Sequence, residues 1–275
     1  MHLRRSDESP YVLGHSDGEL ARLEEQAELF REQTEYILLK GGLAPGMRVL
    51  DVGCGVGDVA LAAARIVGPD GSVTGLDNAR SALHLARSRA AAARLNVEFV
   101  EADAFTYETP HQFDALVGRF ILMHLPRPEL ALTRLVNAVR PGGVITFIEM
   151  DIAQAGAEPP LPLLDRCLDW IIRTYEYVGV EPNMGSRLYR TFREAGLEAQ
   201  LTGSCRIEGG TQSVTYHFVA ESLKSLLPAM ENFKIATAEE VGVDIIADRL
   251  RQQAVRGNHC IFFPRVVGAW AEKPE

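Results

Sequence analysis

From residue 47 to residue 150 the chain alternates short, continuous apolar runs with longer stretches that are apolar on one side only. Runs at 47–52, 72–76, 97–100, 115–118 and 144–150 each have the length of one strand. The stretches 58–67, 80–95 and 129–139 carry apolar residues at helical spacing. Strands that stay apolar throughout are covered on both faces, and parallel neighbours need a crossover between them. The order therefore predicts an α/β fold, a parallel sheet with helices on both faces. Pro69-Asp70-Gly71 turns the chain before the second strand, and Pro141-Gly142-Gly143 closes the helix before the fifth.

The flanking segments read differently. Residues 17–41 form one amphipathic helix, with Leu20, Leu23, Ala27, Phe30, Thr34, Ile37 and Leu38 on a common face. Gly41 and Gly42 end it. After residue 150 comes a link rich in proline (Pro159, Pro160, Pro162), then a helix bearing Trp170, Tyr175 and Tyr177. Residues 187–194 are helical, 199–207 a strand, 214–256 mostly helical and 261–269 a final strand. The expected organisation is one domain over 1–275. A lid and helix occupy 1–41, a ligand-binding core 42–150, and cap insertions 151–185 and 214–256.

The formal net charge of −9 gives no general attraction for a nucleic acid backbone. The four cysteines, Cys54, Cys167, Cys205 and Cys260, have neither metal-ligand spacing nor a compact disulfide pattern, and read as reduced thiols. The first residues lack the apolar centre of a signal peptide, and no run is long enough to span a bilayer. The expectation is a cytoplasmic protein with no membrane, nucleic acid or metal partner. The sequence leaves the oligomeric state open, a homodimer included.

The chemistry concentrates in Asp51-Val-Gly53-Cys-Gly55-Val-Gly57, directly after the first strand. Glycines there allow a tight turn into a helix and close approach of a ligand to the backbone. A dinucleotide fingerprint would place its third glycine one position later, where Asp58 stands. A carboxylate at Asp51 repels a pyrophosphate and suits a cationic amino-acid moiety. Asp77 ends the second strand, where a carboxylate can accept hydrogen bonds from vicinal ribose hydroxyls. Glu101-Ala102-Asp103-Ala104 follows the third strand, where an acid can accept from an adenine amino group. Each acid alone could merely cap the next helix. Three in this order, all at carboxyl ends of parallel strands, point to a nucleoside-containing ligand.

These residues, with Arg140-Pro-Gly-Gly143 and the strand after it, resemble the successive motifs of class I S-adenosylmethionine-dependent methyltransferases. The chain is similar to the ubiquinone/menaquinone-biosynthesis type and to small-molecule methyltransferases of bacterial secondary metabolism, over about residues 34–150. The resemblance implies a Rossmann-like, seven-stranded, mostly parallel sheet with an antiparallel last strand, and a helical lid or cap. It implies S-adenosylmethionine at Gly53, Gly55 and Gly57, with Asp51 in the same loop. Asp77 would hold the ribose, Asn78 would border the adenine, and Asp103 with Ala104 would lie near it. The stretch FDALVGRFILMHL over 113–125 looks like the fourth-strand motif, whose end faces the reactive methyl. Arg119 occupies a place where such enzymes contact the cofactor. The first residues of similar enzymes fold over the cofactor, which makes Tyr11 and His15 candidates for a closed active site.

Methyl transfer from a sulfonium is an in-line displacement, so positioning and exclusion of water dominate. A base is needed only where the acceptor must lose a proton. His124, Tyr11 and His15 are the catalytic candidates; Glu149, His217 and the tyrosines are further titratable groups. Trp170, Tyr175 and Tyr177 are either a wall around a flat or cationic substrate or ordinary packing. The expected activity is methylation of a small molecule at carbon, nitrogen or oxygen. A non-methylating S-adenosylmethionine-binding protein and an NAD-dependent oxidoreductase stay open as alternatives.

Overall fold

The alternating segments build strands and helices in the expected order. The computed structural model describes residues 17–104, 106–109 and 112–275, with side chains from residue 29 onward. The first half comprises α1 (Asp17–Lys40), β1 (Arg48–Val52), α2 (Asp58–Val67), β2 (Ser72–Asp77), α3 (Arg80–Ala93), β3 (Val97–Glu101) and β4 (Phe113–Arg119). A single 3-10 turn over Leu122–His124 leads to α4 (Pro128–Leu135), β5 (Val139–Asp151), β6 (Gly156–Glu158), α5 (Pro162–Val178) and α6 (Met184–Glu194). The remainder is β7 (Gln200–Ser204), β8 (Ile207–Glu208), α7 (Thr215–Asn232), α8 (Ala238–Val241), α9 (Ile246–Arg256), β9 (Cys260–Phe262) and β10 (Arg265–Glu272).

The main sheet has seven strands in the order β3-β2-β1-β4-β5-β10-β7. Strands β1 to β5 pair in parallel, and β10, the last in the chain, runs antiparallel to both β5 and β7. Successive residues of a strand face opposite sides, so one apolar run feeds two cores. Leu50, Val52, Leu116, Ile145 and Phe147 pack with Leu132, Leu188 and Phe192 of α4 and α6. Val49, Val73, Ala115 and Val117 pack with Val59 to Val67 of α2 and with Leu83, Ala86 and Ala90 of α3. A third cluster joins the upper end of β5 to Phe30 and Ile37 of α1, Trp170 of α5, Leu223 of α7 and Leu250 of α9.

Four local readings change. The segment 261–269 is not one strand. It divides at Pro264, which offers no N–H to a ladder, so β9 enters a small sheet β6-β9-β8 while β10 joins the main one. The segment 199–207 divides likewise into β7 and the start of β8. The short strand β6 carries too few residues to show a period. Pro141-Gly142-Gly143 does not precede the fifth strand but lies inside it as an irregularity. The register passes from Phe113↔Val139 to Ala115↔Val144, and Gly142, at φ 68°, donates to the Lys273 carbonyl.

Candidate active site at the carboxyl ends of the strands

Gly53, Gly55 and Gly57 all adopt positive φ, but for different surroundings. A Cβ on Gly53 would come 2.6 Å from Ile121 Cδ1, and one on Gly57 would come 3.1 Å from Ala86 Cβ and Phe99 Cζ. These two glycines let the loop pack on its own protein. A Cβ on Gly55 would meet nothing within 4 Å. Gly55 is thus the position where the loop opens outward, and its N–H donates to Asp77 Oδ2 at 2.8 Å. Asp77 Oδ1 accepts from Ala79 N–H at 2.8 Å. Each oxygen has a second lone pair for a further donor.

Asp51 lies just below, at the end of β1, only 1% exposed. Neither of its carboxylate oxygens has a hydrogen-bond partner among the described residues. Burial pushes its pKa well above the usual carboxylate range; the Arg119 charge and the Ala60 amide oppose that without supplying a well-formed hydrogen bond. Arg119 is committed elsewhere. Its Nη2 reaches Asp58 Oδ2 at 3.1 Å, and its Nη1 donates to Thr34 Oγ1 of α1 at 2.9 Å. Arg89 Nη1 meets the other oxygen of Asp58 at 2.6 Å. Two guanidinium groups therefore converge on Asp58, and Asp51 receives positive charge only at a distance. Asp58, visible in the sequence only as a missing glycine, organises this network. Its partners stand 31 and 61 residues away, so no local pattern could show it.

Past Arg119 the chain turns sharply. Phe120 takes φ 56°, a conformation a bulky L residue rarely adopts, and its ring sits edge-on to Phe30 at 5.0 Å. The Arg119 guanidinium lies 5.4 Å from the Phe120 ring centroid. Ile121 and Leu122 donate their N–H groups to Glu149 Oε1 at 3.1 and 2.7 Å. Glu149 is fully buried, which lifts its pKa to about 8 against the pull of those amides. It is a neutral acid at neutral pH and a poor base. His124 ends the same turn, half-buried.

The arrangement sets an unpaired buried acid, an open glycine and a carboxylate with spare lone pairs at the carboxyl ends of β1 and β2, beside the turn that follows β4. Residues 43–196, more than half of the chain, match the family model described as a methyltransferase domain. The ubiquinone biosynthesis O-methyltransferase of Thiobacillus denitrificans is 34% identical over 58% of this chain and 68% of its own length. The ubiquinone/menaquinone biosynthesis C-methyltransferase of Ectopseudomonas mendocina is 29% identical over 72% of this chain and 78% of its own. A solved structure from Bacillus halodurans C-125, assigned as a methyltransferase, superposes with a TM-score of 0.60. It has 19% identity and covers 89% of this chain and 100% of that one. The chain belongs to the class I S-adenosylmethionine-dependent methyltransferases. The dinucleotide oxidoreductase reading gives way to this family.

In this methyltransferase the other candidates disperse. Asn78 and Asp103 are exposed at the ends of β2 and β3, with Ala104 half-buried beside them. Trp170 is buried in the cap cluster, while Tyr177 is exposed and stacks on Phe233 at 5.4 Å, so α5 presents no single aromatic wall. His217 is exposed on α7. Tyr11 and His15 lie outside the described residues. No helix among the described residues is long and apolar enough to cross a membrane, and none of their His, Cys, Asp and Glu side chains group to hold a metal.

Proposed function

We propose that the loop 51–57, with Asp77, Asn78, Asp103 and Ala104, holds S-adenosylmethionine. A small-molecule acceptor would be methylated over the turn at 120–124, beneath α1 and the cap helices. The observation that carries this reading is Asp51: a buried carboxyl without a hydrogen bond, in the loop where Gly55 leaves open space. Such a group stays destabilised until a cationic donor reaches it, and the amino end of the cofactor is one. The second lone pairs of Asp77 suit ribose hydroxyls while the first keep Gly55 and Ala79 in place. Gly53 and Gly57 contribute by close packing, and Arg119 by fixing α1 to α2 at the rim.

When bound, the cofactor supplies a methyl group on a sulfonium, already activated for displacement. The protein's own task is then orientation and exclusion of water. Phe30, Phe120, Phe218 and Phe263 make edge and tilted ring contacts beside the β4 end and form a dry apolar cluster there. His124, half-buried at the end of that turn, is assigned to receive a proton from an acceptor that must lose one. If it does so, His124→Asn lowers kcat and leaves affinity for S-adenosylhomocysteine unchanged. Relatives of similar identity carry the names of an O- and a C-methyltransferase, which supports a shared donor with an acceptor chosen by the more variable cap. Calorimetric titration of S-adenosylhomocysteine into the parent protein and Asp51→Asn tests the site. Binding by the parent and its loss in the variant support the reading; unchanged binding in the variant overturns it.

A further inference from the structure

The turn after β4 is held from below by one side chain, Glu149. This acid interrupts the apolar run of β5 and has 0% exposure. One oxygen, Oε1, takes the N–H groups of both Ile121 and Leu122, the first donors of the 3-10 turn. Those donors have no intrahelical partner of their own. The other oxygen, Oε2, has no partner among the described residues. The turn it supports is strained at Phe120, whose N–H is tied to the Ile148 carbonyl at 2.9 Å. The turn also packs on the glycine loop, since the Ile121 side chain fills the space in front of Gly53.

We propose that Glu149 is a positioning residue for methyl transfer, whose buried Oε1 takes the Ile121 and Leu122 amides and so locks the 120–124 turn against the glycine loop. The inference rests on the cofactor-site reading above and adds a residue that touches neither cofactor nor substrate. A neutral carboxyl can hold two amides without bringing charge into the core; its ionised form cannot. Ionisable groups on the surrounding elements are already engaged or peripheral. Asp151 on the same strand face pairs with Arg265 of β10 and with Ser186 of α6. Arg119 of β4 is bound to Asp58 and Thr34. Glu181 pairs with Arg187. His124 ends the turn itself, and Tyr175 on α5 packs against the same cluster. Ionisation of Glu149 above about pH 8 strengthens the two amide bonds but puts a charge in the core that nothing among the described residues pairs at Oε2. That charge should draw water in beside the turn and, through Ile121, disturb the loop.

The test is calorimetric titration of S-adenosylhomocysteine below and above about pH 8 into the parent, Glu149→Gln and Glu149→Ala. The parent should lose affinity about ten-fold on the alkaline side, as the core around the turn yields to an uncompensated buried charge. Glu149→Gln, which mimics the neutral acid, should show no such alkaline loss. Glu149→Ala should bind about ten-fold more weakly at every pH. An alkaline loss in Glu149→Gln equal to the parent's overturns the proposal, as does parent-like affinity in Glu149→Ala. Should the alanine variant fail to fold, the comparison of glutamine with parent still decides. Absence of binding by the parent overturns the cofactor-site reading together with this one, whereas parental binding without these differences overturns only the role of Glu149.

Discussion

Asp77 ends β2 and Glu149 lies within β5, and their surroundings give these two acids opposite tasks. Asp77 is half-buried and accepts from Gly55 and Ala79, so it stays available to further donors. Asp77→Ala removes an acceptor of charge-assisted hydrogen bonds, each worth ~1.5–3 kcal/mol. Affinity for S-adenosylhomocysteine should fall on the order of a hundred-fold by calorimetry; a near-normal value would detach Asp77 from the cofactor. Glu149 carries a pKa of about 8 against 4.5 in the free side chain. Between those values the unfolded chain has released this proton and the folded protein has kept it. Folding stability from this residue is therefore full below about pH 4.5 and declines as pH rises toward about 8. Glu149→Gln removes the decline. In urea unfolding it should be more stable than the parent by ~3 kcal/mol at pH 7, with the gain vanishing near pH 4. Equal stabilities at both pH values would show that Glu149 ionises normally in the fold.

The elements that frame the site divide their work in the same way. The glycine loop is set by packing at its two ends and is open in the middle. Gly55→Val should keep the fold, since its Cβ meets no protein atom, at a backbone cost of about 1–2 kcal/mol for φ 51°. The side chain would occupy the space given to the ligand, so S-adenosylhomocysteine binding should be lost while circular dichroism is retained; binding as in the parent would place the cofactor elsewhere. Helix α1 is tied to the sheet by Phe30, 1% exposed, which contacts Phe120, Phe218 and Phe263. Phe30→Ala should cost ~3–5 kcal/mol in denaturant unfolding. A loss under about 1 kcal/mol would mean that α1 docks independently of this cluster.

At the scale of the whole molecule, ligand binding and folding are linked. S-adenosylhomocysteine at a hundred times its Kd should add ~2.7 kcal/mol of stability and raise the melting temperature, while NADH should not. A shift with NADH alone would contradict the family assignment. The antiparallel last strand was implied by the family resemblance, whereas the alternation of strands and helices, the parallel sheet, the glycine loop and the acids at the strand ends were legible in the residues themselves. Each rests on local properties: a period, a turn residue, a position at a strand's end. Even Pro264 and the acid inside the apolar run of β5 left a mark there, although the run around Pro264 was read as a continuous strand. Other features belong to the tertiary structure alone. Asp58 gathers Arg89 and Arg119, Arg119 reaches Thr34, Phe120 is forced to positive φ, and Asp51 is left without a partner while Glu149 stays neutral. Ion pairs depend on distances between segments far apart in the chain, and a carboxyl's charge depends on how completely the assembled core removes its water.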